Sequence, residues 1–512
     1  MQIGAYVAQN ARKFPNKLAI YCEGRSYTYK QFNEEVNRLA HGLLSLGIQV
    51  GDKVAIMMKN SDHFVFSFFA AAKVGAVIVP VNTRLTVTET HYILEQSDSA
   101  YVIIDSEFEA IMNEARAKTK VKHVIVVGST LIEGHLSYEN IKSYNMEEPS
   151  VGLTEQNDLE ILYTSGTTGR PKGALFDHHR IFKVGITMMA AMGINQHDRF
   201  LHIAPLFHSA QLNLFLISGV FLGATHYIHR DFHPVKVLQA IQEHKITFFF
   251  GVPAMYNFLL QVPDYQKYDL SSISRCGYGA APMAPELVKK TIDLFKTDQF
   301  YNLCGLTEAG PSGIYLDPEG HKEHLGKAGK AVFLTEARVV TESGEDIMPG
   351  AVGELILRGD TIMKEYYKKP VETALAIKDG WLYTGDLATI DHDGFMTLVD
   401  RKKDMIISGG ENVYSIEVEQ VLYEHPSILE AAVIGLPDEV WGEAVCAVIV
   451  PKAGVTVEEV ELRDFCRKKL AGFKVPRKVF IEKELPRNAS GKILKYQLKQ
   501  SHQQLISTTI EE

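Results

Sequence analysis

Short apolar runs separated by polar, helix-like stretches organise the first 310 residues. LAIYCEG and YTYK read as a strand pair, and FNEEVNRLAHGLLSLG as an amphipathic helix ended by Gly47. VAIMMKN, AVIVPV, YVIIDS and HVIVVG read as further strands. The rhythm repeats from 160 to 310, where ILYTS, RFLHIAPL, ATHYIHR, KITFFFGVP and SRCGYGAA are strand-like. Strands alternating with helices predict a largely parallel sheet covered on both faces. From 325 to 400 the texture changes to Gly- and Asp-punctuated β runs, as in a small antiparallel barrel or sheet. After the charged run DRKKD a compact α+β pattern follows: helix 415–424, strands 430–436 and 443–451, helix 457–470 and strand 478–482. The fold class expected is α/β: a large N-terminal domain of mixed and parallel layers over 1–400 with a small β-barrel-like subdomain, then a small α+β domain over 401–512. The last dozen residues are polar and expected to fray.

Composition narrows the function classes. The 512 residues include 53 Lys plus Arg and 62 Asp plus Glu, a net charge of −9, so no global field draws the chain to nucleic acid. Five cysteines without a CxxC pair signal neither a zinc site nor a disulfide framework. The opening MQIGAYVAQNARKF lacks the apolar core of a signal peptide. The most apolar stretch, Phe64 to Val81, contains Lys73, Gly75 and Pro80, and reads as a buried helix running into a strand rather than a membrane span. The expectation is a cytoplasmic protein without a transmembrane segment; peripheral membrane contact and a monomer or a homodimer remain open.

The most informative segment is Tyr163-Thr-Ser-Gly-Thr-Thr-Gly-Arg-Pro-Lys-Gly173, which follows the apolar LEILY. Its glycines let backbone N–H groups converge on an anion, its hydroxyls add donors and Lys172 adds a charge. This is the chemistry of a polyphosphate cradle. The P-loop of GTPases is disfavoured, because Pro171 lies five residues after Gly166 and Gly173 follows Lys172.

The string resembles the signature of the acyl-adenylate-forming superfamily, which includes acyl-CoA synthetases, beetle luciferases and peptide-synthetase adenylation domains. The resemblance runs over roughly 10–495 with motifs in the expected order. ISGGENVYSIEVE, AVIGLPDEVWGE and PVNTRL are similar to the fatty acyl-CoA synthetase branch. It implies that Thr164, Ser165, Gly166, Thr167, Thr168, Gly169 and Lys172 hold ATP phosphates. In Tyr301-Asn-Leu-Cys-Gly-Leu-Thr-Glu308, Thr307 would contact phosphate and Glu308, with Thr164, would hold Mg²⁺, a cation that prefers oxygen ligands. Gly279, Ala280 and Ala281 would neighbour the adenine, Tyr301 and Asn302 would belong to the same nucleotide site, Asp386 would hold the ribose, and Arg401 would reach ribose or phosphate. Asn302-Leu-Cys departs from the family's usual Gly-containing spacing. His208, after APLF and before the long apolar helix SAQLNLFLISGVFLGA, resembles an aromatic gate between nucleotide, acyl and pantetheine sites. Lys492, ending PRNASGK, matches the catalytic lysine, and Lys403 the hinge of a mobile C-terminal lid. Coenzyme A contacts implied are Ser408, Gly409 and Gly410, with Arg84, Trp441, Phe473 and Lys474 as further candidates.

The expected function is therefore an ATP-dependent acyl-CoA synthetase that forms an acyl-adenylate and then a thioester. Partners are a carboxylic acid, ATP, Mg²⁺ and coenzyme A. The acyl pocket expected around Phe207, Leu212, Phe215, Phe249, Phe250, Val252, Met255 and Ile314 is apolar, which favours a medium- to long-chain fatty acid. An aryl-acid ligase of benzoate type, and a stand-alone adenylating enzyme that uses no coenzyme A, are the alternatives.

Overall fold

The computed structural model describes residues 2–129, 132–164, 170–281, 283–487 and 492–510, with side chains up to 503. Two large sheets face each other in the first part of the chain. One has nine strands, parallel from Phe300–Gly305 through Arg275–Gly279, Phe248–Gly251, Arg199–His202 and Thr225–Ile228 to Leu18–Cys22, with antiparallel strands at each edge. The other has eight, built on the parallel core Asp158–Thr164, Val77–Pro80, Lys53–Met57, Ser99–Asp105 and His123–Val127. Between the sheets lies one apolar core that draws on both, and helix Asp62–Val74 runs through it with every residue from Phe64 to Val74 buried. A buried helix has no solvent face to present, which is why this segment is almost wholly apolar; its buried Lys73 is paired with Glu148 and hydrogen-bonded to Asn33 and Asn37.

Residues 335–401 form a five-stranded antiparallel sheet, and 406–481 a second five-stranded sheet of mixed direction. The latter has its own core: the clusters under Ile406, Val433 and Val445, and under Ile434, Cys446 and Leu498, contain only residues from 406 onward. This is the large α/β region, curled sheet and small α+β unit that the residue pattern predicts.

Three local expectations change. YTYK is a strand only to Thr28, whose side chain accepts from Gln31 N–H while Gln31 accepts from Thr28 N–H. That capping box, of about 1 kcal/mol, starts the helix Tyr29–Ser45 ahead of its apolar stripe. The terminal residues expected to fray continue a helix, Lys495–Ile510, anchored through buried Leu498 on the small unit's core. The segment after His208 is a π-helix, Ala210–Ile217, followed by a short α-helix, Ser218–Leu222, instead of one continuous α-helix.

Candidate active site

Strand Asp158–Thr164 of the eight-stranded sheet is followed in the chain by its antiparallel neighbour Lys172–Asp177, with Thr164 paired to Lys172. The strands on either side of the hydroxyl- and glycine-rich segment are thus antiparallel neighbours. A P-loop would lead into a helix, so the exclusion drawn from Pro171 agrees with the topology. Ser165, Gly166, Thr167, Thr168 and Gly169 lie outside the described residues, and Thr164 and Lys172 are the paired strand ends on either side of them.

At this strand pair the two sheets meet. Thr164 Oγ1 stands 3.5 Å from Glu308 Oε1, and the Tyr366 hydroxyl donates to the same oxygen at 2.8 Å. Burial first, and then Glu308, push the Tyr366 phenol well above its ordinary value, so it stays a donor. The Lys172 ammonium sits 4.3 Å from the centre of the Tyr366 ring. Thr307 shares a hydrogen bond of 3.1 Å with Ser209, the residue after His208. Oxygen donors and one carboxylate therefore converge beside a lysine, on segments from four parts of the chain.

A second group lies at the curled sheet. Asp386 and Arg401 face each other across paired strands Trp381–Ile390 and Met396–Arg401, with Arg401 Nε 2.5 Å from Asp386 Oδ1. Burial raises the Asp386 carboxyl while Arg401 and Lys492 hold it down. Lys492 is exposed as a residue, yet its ammonium is desolvated by surrounding protein and faces Arg401, and both push it down to about 8; Asp386 and Asp404 oppose that, and Lys403 adds to it. The Cys304 thiol, pushed up to about 12 by burial and then by Asp386, also feels Arg401 and Lys492. Cys304 lies on strand Phe300–Gly305, just before Thr307 and Glu308, so these charges stand over the end of the nine-stranded sheet.

The strand ends agree with a planar group lying there. Gly279 pairs with Leu303, and a Cβ on it would stand 2.3 Å from the Leu303 carbonyl oxygen, so backbone closeness requires glycine. Ala280 takes a left-handed conformation at φ 65°, strain of a kind that gathers at ligand sites. Asn302 donates to the Lys327 carbonyl at 3.3 Å. Tyr301 packs into an apolar cluster with Phe215, Phe250, Met188 and Met192.

That cluster divides the residues expected at the acyl pocket. Successive residues of a strand point to opposite faces. Phe248 and Phe250 therefore join Phe215, with ring centres 5.0 and 4.8 Å away, while Phe249 and Met255 pack on the far side with Tyr256 and Phe295. Leu212, Ile314 and Phe207 belong to the core between the sheets. Val184, Met188 and Met192, unmarked by any motif, face the cluster from helix His178–Met192; their spacing of four was the available signal. The His208 imidazole is pushed down to about 4 by burial and is neutral at physiological pH.

On the small unit, Gly409 takes φ 62° and donates to the Trp441 carbonyl at 2.8 Å. A Cβ there would meet the Trp441 ring at 2.9 Å, so Gly409 has an internal reason to be glycine, whereas Gly410 at φ 85° faces open space. Ser408 is buried beside them. Arg477, which no motif pointed to, lays its guanidinium 3.7 Å from the centre of the Trp441 ring. Lys474 pairs with Glu417 at 2.7 Å and lies 5.6 Å from the Phe473 ring centre. Arg84 is exposed just beyond strand Val77–Pro80.

Comparison with known proteins settles the family. The family pattern described as AMP-binding enzyme matches residues 7–367, and that of the AMP-binding enzyme C-terminal domain matches 417–492. The chain belongs to the AMP-binding enzyme family. It is an acyl-adenylate-forming chain of the acyl-CoA synthetase branch. A feruloyl-CoA synthase of Amycolatopsis sp is 36% identical over 493 residues, 96% of this chain and 97% of that one. The long-chain-fatty-acid–CoA ligase FadD13 of Mycobacterium tuberculosis is 36% identical over 505 residues, 98% of each chain. The o-succinylbenzoate CoA synthetase MenE of Bacillus subtilis, solved with its acyl-adenylate intermediate, superposes with a TM-score of 0.85 at 31% identity over 96% of this chain and 97% of its own.

Proposed function

We propose that this protein is an ATP-dependent, AMP-forming acid–thiol ligase that activates an apolar carboxylic acid as its acyl-adenylate and passes the acyl group to coenzyme A. The observation that carries this reading is the meeting of Lys492 with Asp386 and Arg401 above the strand that delivers Thr307 and Glu308.

In the first step a carboxylate oxygen attacks the α-phosphorus of ATP, the bond to the bridging oxygen breaks and pyrophosphate leaves. Two anions approach, so catalysis is positioning and charge stabilisation. Lys492 supplies a desolvated cation where charge develops, and such groups act most strongly in a water-poor cleft. Asp386 accepts from the ribose hydroxyls and Arg401 orients it. Lys172, Thr164 and residues 165–169 hold the leaving phosphates; Gly279, Ala280, Ala281 and Asn302 flank the adenine. Glu308 and Thr164 would offer Mg²⁺ the hard oxygen donors it prefers, and the ion would neutralise phosphate charge.

In the second step the coenzyme A sulfur bonds to the acyl carbon, the thiol proton is lost and AMP departs. Ser408, Gly409, Gly410, Trp441, Phe473 and Lys474 form the coenzyme face of the small unit, Arg477 joins them through Trp441, and Arg84 answers from the large domain. The domain boundary is placed at 400–404, with Lys403 as the hinge about which 401–512 turns between steps. Separate cores on either side of that segment make such rotation inexpensive.

The acid is a medium- to long-chain fatty acid in the first reading, because Met188 and Met192 can part around a flexible chain. An aryl acid is the second, favoured by the Phe215, Phe248 and Phe250 rings. Neutral His208 can stand against either without the cost of a buried charge. Pyrophosphate release over straight-chain acids of graded length and over aryl acids, with and without coenzyme A, tests all of this. If coenzyme A leaves the product unchanged, the thioester half of the reading falls.

A further inference from the structure

The π-helix Ala210–Ile217 lies between the two large sheets and carries two polar side chains, both fully buried. Gln211 reaches the nine-stranded sheet. Its amide nitrogen stands 2.5 Å from His202 Nδ1, and His202 Nε2 stands 2.8 Å from His226 Nδ1. With the amide N–H donating, Nδ1 of His202 accepts and its Nε2–H donates onward to His226, an arrangement in which both rings are neutral. Phe200 stacks on both rings, with centres 6.0 and 5.6 Å away, and burial pushes both histidines down. Asn213, two positions on, reaches the eight-stranded sheet and donates to Glu160 Oε1 at 2.7 Å. Glu160 is wholly buried in strand Asp158–Thr164, and burial pushes its carboxyl up to about 8. The acid form can return a hydrogen bond to Asn213 Oδ1, which pairs the two atoms of the Glu160–Asn213 couple that otherwise lack partners.

We propose that Gln211 and Asn213, held by His202 and Glu160, are positioning residues that clamp the π-helix between the two sheets and thereby set which acids the enzyme accepts. The same helix carries Leu214 and Phe215 into the apolar cluster with Phe248 and Phe250, and its first turn follows His208 and Ser209, the partner of Thr307. Helices of this kind are rare and concentrate at functional sites. An amide that must meet a partner on each sheet fixes both the rotation and the register of the helix, and so the depth to which Phe215 reaches. An apolar clamp would hold the helix without specifying either.

This inference rests on the ligase reading, and its test separates the two. Glu160→Leu, Glu160→Gln, Asn213→Ser and Gln211→Leu are compared with the unaltered protein over straight-chain acids from short to long and over aryl acids. Binding of the fluorescent fatty acid cis-parinarate is followed in parallel. For Glu160→Leu, Asn213→Ser and Gln211→Leu the ratio of kcat/KM between a long-chain and an aryl acid should change about tenfold or more, through KM for the acid, with KM for ATP unaltered. Glu160→Gln, neutral and of the same shape, should restore the original ratio. If the three variants only lower the thermal midpoint and leave the ratio, the acid KM and parinarate affinity as they were, the clamp is structural and the proposal is overturned. Should Glu160→Leu fail to fold, Asn213→Ser removes the same bond without adding volume and decides alone. If the unaltered protein releases no pyrophosphate with any acid, the ligase reading fails, while a shift in parinarate affinity in the variants still upholds the clamp.

Discussion

The two halves of the site are built differently. In the large domain, Thr164, Glu308, Tyr366, Thr307 and Ser209 are tied to one another by side-chain hydrogen bonds that cross the chain over 58 to 144 residues, on segments locked into two sheets with a shared core. On the small unit, Lys492 and the Gly409–Trp441–Arg477 group ride on a sheet whose core draws on nothing before residue 406. In the proposed reaction the first half serves as a fixed receptor for the triphosphate and the second as its moving counterpart, a carrier that can bring a cation or a thiol-facing surface to the same place. Chemistry in two unlike steps over one site calls for such a division, because a channel for the thiol and a lysine at the phosphate cannot occupy one mouth together.

The largest effect should come from removing the delivered cation. Lys492→Ala is expected to lower adenylate formation about a thousandfold, the scale of losing a positioned charge-stabilising donor, and to leave thioester formation from supplied acyl-adenylate nearly intact. Pyrophosphate exchange and single-turnover thioester assays measure the two steps. Equal loss in both would erase the distinction between receptor and carrier. Next in size, Lys403→Pro should slow the thioester step by about a hundredfold while adenylation changes little, since a fixed backbone angle holds the carrier in one pose. Comparable losses in the two assays would remove Lys403 as the hinge.

Acidity sharpens the comparison further. The Lys492 ammonium is lowered to about 8 by desolvation and by Arg401, so its charged form dominates below that pH and is lost above it. For adenylation, kcat/KM for ATP reports the free enzyme, and it should fall about tenfold per pH unit once pH exceeds the lysine's value. In Lys492→Arg the guanidinium stays charged, and the alkaline limb should vanish whatever the absolute rate. A limb that persists in that variant belongs to another group.

The residues proposed for the receptor stand out in the sequence because they are close together along the chain. Hydroxyls, glycines and a lysine are close neighbours along the chain between Tyr163 and Gly173, and Thr307 and Glu308 are adjacent. Tyr366 was invisible: it sits on a two-residue strand, Glu365–Tyr366, and reaches Glu308 only because that strand pairs with Lys172–Asp177. Arg477 escaped for the same reason, since nothing near it in sequence mentions Trp441. Phe249 was grouped with Phe250 although strand alternation could have separated the two. The π-helix could not be told from an α-helix by an apolar run alone, but its buried Gln211 and Asn213 were a sign that polar partners awaited it.

Tyr366 offers the finest cut between the halves. Its hydroxyl donates to Glu308 and its ring faces Lys172, so Tyr366→Phe deletes one hydrogen bond and keeps the ring beside the ammonium. The net worth of such a bond is about 1 kcal/mol, so kcat/KM for the magnesium nucleotide should drop roughly fivefold. Tyr366→Leu, which also removes the ring, should cost more through the Lys172 contact. Both losses should fall on adenylation and leave thioester formation from supplied acyl-adenylate untouched, because the triphosphate has gone by then. A loss shared equally by the two steps would mean that Tyr366 serves the acyl-adenylate as well, and that the receptor is not confined to the phosphates.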